Sequence, residues 1–220
     1  MKQVYIYKGF ERFWHWMQAL LIFFLALTGF EVHGSFTFFG FEQAVKFHIV
    51  TSYLFIVLII FTIFWHFATG EWKQYIPTLA NLKRQAEYYL LGIFRNAPHP
   101  TRKTQLSKLN PLQRLVYLGL KILLIPVMVT TGVFYLIYLF PQDEIGKSLD
   151  VGSLSTIAVI HTLGAFLLIA FVVAHLYLIT TGHSITSNLN AMITGYEELE
   201  EDDEINQTTI NKEESNEQAI

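Results

Sequence analysis

The chain has 220 residues, of which 52% are hydrophobic and 15% charged, with a formal net charge of -3 and no cysteine. So apolar a composition argues against a water-soluble domain of this size and makes a bilayer the expected solvent. The lack of cysteine excludes Fe–S clusters, covalent haem attachment through Cys-x-x-Cys-His and disulfides, so any redox chemistry has to rest on histidine.

Four apolar stretches follow one another along the chain, at about 13–32, 48–69, 115–140 and 154–181. Each meets the roughly 20 residues that a helix needs to cross the hydrocarbon core. The first opens on Arg12, Trp14, His15 and Trp16 and shows no small-residue cleavage site, so it reads as a retained span rather than a signal peptide. The connection 70–114 is basic, with Lys73, Lys83, Arg84, Arg95, Arg102, Lys103, Lys108 and Arg114. It holds an amphipathic stretch at 79–95 suited to a membrane surface, followed by the helix breakers Pro98 and Pro100.

Lys2, Lys8 and Arg12 precede the first span, while the two short connections carry only Lys46 and Lys147. Positive charge stays on the cytoplasmic side, so the expectation is an all-α, multi-pass four-helix bundle of a bacterial inner (plasma) membrane with both termini and the 70–114 loop cytoplasmic. The membrane domain is expected over 1–195. From 196 to 220 the chain carries Glu197, Glu198, Glu200, Glu201, Asp202, Asp203 and Glu204 with little apolar content, and it reads as a disordered acidic tail. Lipid is the expected surrounding, and no nucleic-acid partner is expected.

Ionisable residues inside a span are costly and are functional hypotheses by default. Five histidines qualify: His15, His48, His66, His161 and His175. His161 and His175 are 14 residues apart, which on a helix puts them on one face, about 40° apart in azimuth and about 21 Å apart along the axis. No single metal bridges that gap, whereas two haems stacked across the bilayer would each take one ligand from this helix. Topology supplies partners at matching depth: His48 with His161 on the outer side, and His15 with His175 on the inner side. His66, 18 residues after His48, shares its helix face about five turns on and is a rival to His15 at the inner position. His33, His99 and His183 read as loop residues.

Gly29, Gly132 and Gly164 lie at the depth of the outer site, where a missing side chain lets a flat macrocycle approach the backbone and equally permits close helix packing. Arg12 and Lys46 are candidate counter-ions for haem propionates or lipid-headgroup anchors. His66, Glu71 and His183 are candidate proton handles. The competing class is a passive membrane anchor or a proton-coupled carrier, but a carrier would place its binding groups on broken helices at the midplane, and an anchor needs no histidines at two matched depths.

The run Glu11-Arg12-Phe13-Trp14-His15-Trp16, the pair Thr28-Gly29, the run from Trp65-His66 to Thr69-Gly70-Glu71-Trp72-Lys73-Gln74-Tyr75-Ile76-Pro77, the segment Asn110-Pro111-Leu112-Gln113 and the His161/His175 spacing resemble the bacterial cytochrome b561 family, which includes the di-haem cytochrome b subunits of nickel–iron hydrogenases. Within it, the tryptophan-rich exit of the second span is most similar to thiosulfate reductase cytochrome b subunits. The resemblance implies two haem b groups held by His15, His48, His161 and His175, with His15 favoured over His66. It also implies a quinone pocket at the inner haem that includes Asn110 and Gln113, although Pro111 removes a backbone N–H there and His66 is an alternative contributor. The implied role is that of a non-catalytic electron-transfer subunit working between the quinone pool and an extracytoplasmic oxidoreductase or electron carrier.

Overall fold

The computed structural model describes residues 2–78, 80–95, 97, 100, 108–139, 151–182 and 184–199. His99, His183, Lys147 and the tail from 200 onward lie outside the described residues. The described chain is mostly helical, and four of its helices are long and apolar enough to cross a membrane: Gly9–Val32, Phe41–Thr69, Pro111–Leu139 and Leu154–Ile179.

Helix ends differ from the hydropathy limits for local reasons. The second span starts at Phe41, ahead of the apolar stretch, because Glu42 and Lys46 form an i,i+4 pair at 2.9 Å that extends the helix into polar surroundings. Just before it, Glu31 Oε1 accepts the backbone N–H groups of Phe38, Phe39 and Gly40, each at 2.7 Å, so a buried carboxylate holds the turn between the first two spans. Gly70 ends the second span at φ 75, the left-handed conformation that glycine adopts without a Cβ penalty. The third span begins at Pro111, a residue suited to the first helical position. It consists of Pro111–Gly119, a π turn at Leu120–Leu124 and Ile125–Leu139. Pro126 follows that turn; it has no N–H for the carbonyl four residues back and its ring crowds that carbonyl, so the helix widens ahead of it.

The chain divides into two units. One comprises Phe13–Glu71 and Leu118–Leu176 and contains most of the four spans. Its centre is built on Leu21, Ile22 and Phe55, with Met17, Leu25, Leu58, Ile59, Ile125, Leu168 and Val172 packed around them, so all four spans contribute. Polar side chains turn inward here: Thr28, Thr51, Thr62, His66 and Thr131 are buried, while Ile60, Phe64, Phe67, Leu163 and Val173 are exposed. That inversion of a water-soluble core suits a hydrocarbon solvent, where inward polar groups find partners and apolar groups face lipid.

The other unit comprises Met1–Arg12, Trp72–Tyr117 and Tyr177–Ile220. Strand β1, Lys2–Tyr5, pairs antiparallel with β2, Tyr196–Leu199, with Tyr5 opposite Tyr196. The first residues of the segment read as tail are therefore a strand: Ile6 and Tyr7 N–H donate to the Gly195 carbonyl at 2.8 and 3.1 Å, and the Tyr5 and Tyr196 rings lie 5.1 Å apart. All four candidate spans lie between the two strands along the chain. The loop is fastened to the chain start by Lys108 Nζ, which donates to Glu11 Oε1 at 2.7 Å, with the two side chains 8% and 11% exposed. Glu11 Oε2 also accepts the Lys8 N–H at 2.7 Å. The amphipathic stretch is a helix at Leu82–Glu87 that runs into a π turn, Tyr88–Gly92.

Candidate cofactor site

His48 on the second span and His161 on the fourth face each other with ring centroids 6.4 Å apart. Their surroundings match closely. Thr28 Oγ1 lies 3.0 Å from His48 Nδ1, and Thr131 Oγ1 lies 2.8 Å from His161 Nδ1. Each threonine hydroxyl donates to a carbonyl one turn back in its own helix, Phe24 at 2.8 Å and Val127 at 2.7 Å. With its hydrogen used, the threonine oxygen accepts, so each imidazole carries its proton on Nδ1 and presents the Nε2 lone pair. The next residue on each of those spans is a glycine: a Cβ on Gly29 would come within 3.2 Å of His48 Cε1, and one on Gly132 within 3.6 Å of His161 Cε1. Gly164 instead accommodates Met128. Two Thr-Gly pairs thus seat two opposed imidazoles.

His15 on the first span faces His175 on the fourth with centroids 6.2 Å apart. Phe171, one turn before His175, stacks on it at 5.8 Å and 18°. His66 is engaged differently: its Nδ1–H donates to the Thr62 carbonyl at 2.7 Å, and its Nε2 accepts from Lys121 Nζ at 3.3 Å. Lys121 also lies over the Trp14 ring, 5.3 Å from its centroid. Lys46 is paired with Glu42, and the Arg12 guanidinium donates to the Ile193 carbonyl at 2.5 Å.

Asn110 and Gln113 come together as a capping box. The Asn110 N–H donates to Gln113 Oε1 at 3.0 Å, and the Gln113 N–H donates to Asn110 Oδ1 at 2.9 Å. The remaining Asn110 donor, Nδ2, reaches Tyr89 Oη at 2.8 Å. Burial pushes the Tyr89 hydroxyl above its usual range, with Asn110 pulling the other way. In the same unit, burial, assisted by Glu197, Tyr117 and Glu11, pushes the Tyr7 hydroxyl up as well. Both phenols remain protonated at neutral pH.

The histidine pairs fit a macrocyclic metal. Among the described residues, no cluster of three or more His, Asp or Glu side chains could hold a bare ion, but a porphyrin leaves only two axial positions for the protein. A metal–imidazole bond of about 2 Å on each side, plus about 1.1 Å from ring nitrogen to ring centre given ring bonds of about 1.3 Å, spaces two axial rings by about 6 Å. Both pairs have that spacing. Thr131 and Lys121 escape a reading based on histidine alone. The signal for Thr131 was a second Thr-Gly pair, Thr131-Gly132, in the C-terminal half of the third span.

Four apolar spans with opposed histidine pairs define a membrane protein of the b-cytochrome class. The sequence model of prokaryotic cytochrome b561 matches residues 6–195, and the chain belongs to that family. A protein of Escherichia coli (strain K12) named "Putative cytochrome YdhU" is 30% identical over 204 residues, covering 89% of this chain and 75% of that relative. No solved structure matches the chain. The family binds haem b, so this is a multi-pass bacterial inner-membrane protein of haem-based electron transfer. Similarity to thiosulfate reductase subunits in particular is not among the matches.

Proposed function

We propose that the chain is a di-haem electron-transfer subunit, with one haem b between His48 and His161 and a second between His15 and His175. It would connect the quinone pool with an extracytoplasmic oxidoreductase or electron-carrier partner, both termini and the 70–114 loop facing the cytoplasm. The observation that carries this reading is the repetition of one ring spacing, 6.4 and 6.2 Å, at two levels of a shared fourth span. Bound haem supplies a one-electron couple; the chain supplies everything that orients it. Thr28 and Thr131 hold the outer imidazoles in one tautomer, Gly29 and Gly132 leave room beside them, and the apolar exterior keeps the path in hydrocarbon. Quinone chemistry at the cytoplasmic side would draw on the segment around Asn110, Gln113 and Tyr89, with His66 as a further candidate.

A reduced-minus-oxidised spectrum with haem quantification tests the proposal: two b-type haems per chain are expected, and one or none overturns it. Thr131→Val removes the oxygen that accepts from His161 and is expected to weaken outer-haem retention by about 10- to 100-fold, read as haem loss on dilution, whereas Thr131→Ser stays close to wild type. Equal retention in all three proteins would deny the threonine this role. Asn110→Ala is expected to keep both haems while slowing their reduction by added quinol by about tenfold or more; an unchanged rate moves the quinone site elsewhere.

A further inference from the structure

Lys121 is an ionisable side chain well inside the third span, in the π turn Leu120–Leu124. An intramembrane lysine is costly, and π turns recur at functional sites. Its ammonium is held from two sides. His66, whose Nδ1–H is committed to the Thr62 carbonyl at 2.7 Å, offers Nε2 as acceptor at 3.3 Å. The Trp14 ring offers its face at 5.3 Å, a cation–π geometry. Trp14 immediately precedes His15, and their rings meet edge-on at 6.4 Å.

The two histidine pairs are nearly equal in spacing but unequal in surroundings. At the outer pair both imidazoles donate Nδ1–H to a threonine oxygen, which raises ligand basicity and favours the oxidised metal. At the inner pair His15 Nδ1 is buried without a hydrogen-bond partner, and a lysine stands one aromatic ring away. We infer that Lys121, oriented by His66 and Trp14, is a positioning residue that sets the potential of the inner haem, its positive charge stabilising the added electron there relative to the outer haem. The charge acts through a medium of low dielectric, where it is felt over a longer range than in water.

This inference rests on the di-haem reading, and the experiment separates the two. Redox potentiometry of the purified holoprotein is compared for wild type, Lys121→Met, Lys121→Gln and Lys121→Arg, with the inner haem assigned by its loss in His15→Ala. Met and Gln are expected to lower the midpoint of the inner haem alone, and Arg to keep it near wild type, with two haems retained throughout. An unmoved inner midpoint, an equal shift of both haems, or loss of the inner haem in both neutral variants overturns the assignment. A wild-type protein with fewer than two haems refutes the di-haem reading instead.

Discussion

If the chain holds two haems as proposed, replacing His161 or His48 with alanine is expected to halve the haem content and to spare the haem at His15 and His175; replacing His15 or His175 is expected to do the reverse. At the His48/His161 pair a haem that lost one imidazole would find no replacement among the described neighbours, because Thr28, Thr131, Gly29 and Gly132 carry no ligand atom of comparable strength. The two members of a pair act as a unit, so the double variant His48→Ala/His161→Ala should lose no more haem than either single one. His66→Ala is the discriminating control. Its ring is committed to Thr62 and Lys121, so both haems should remain. Loss of a haem in His66→Ala with retention in His15→Ala would exchange the roles of the two residues. Haem extraction and quantification against protein concentration reads every case.

Lys108→Ala is expected to destabilise the protein by about 3–5 kcal/mol, because it leaves the Glu11 carboxylate buried without its cation. The two side chains are 8% and 11% exposed and 2.7 Å apart, so water cannot replace the lost partner. The pair need not be strongly stabilising in itself; its removal is what costs. Replacing both residues by apolar ones of similar volume, Lys108→Met with Glu11→Met, should recover most of the loss, since neither charge is then buried alone. Thermal unfolding in detergent, followed by helical circular dichroism, checks the ordering. A single variant as stable as wild type would show that the loop is not fastened through this contact.

Much of the membrane unit was legible because hydrocarbon imposes a simple rule on composition: four long apolar stretches, with the few inward polar groups standing out against them. The histidines stood out for the same reason, and the 14-residue spacing on the fourth span led to the two pairings that the structure brings within 6.4 and 6.2 Å. What escaped was set by contacts between distant residues. Lys121 is a lone charge in a strongly apolar stretch, too diluted to disturb an average, and the Trp14 ring beneath it belongs to another span. In sequence Asn-Pro-x-Gln reads as a ligand contact alone; the structure shows Asn110 and Gln113 capping the helix that starts at Pro111, and the ligand contact is left to experiment. Tyr196–Leu199 was hidden because Tyr-Glu-Glu-Leu lacks the alternation of a strand, and its partner, Lys2–Tyr5, stands at the far end of the chain.

That last pairing constrains the order of biosynthesis. β1 leaves the ribosome before all four spans and β2 after them, so the strand edge of β1 must wait through the insertion of every span before it is closed. Contacts of such long sequence separation form late, and an open strand edge invites adventitious pairing in the interval. Closure of the two-stranded sheet therefore reports that the whole set of spans has been made, and a chain interrupted before Tyr196 would keep an open edge that a finished one does not have.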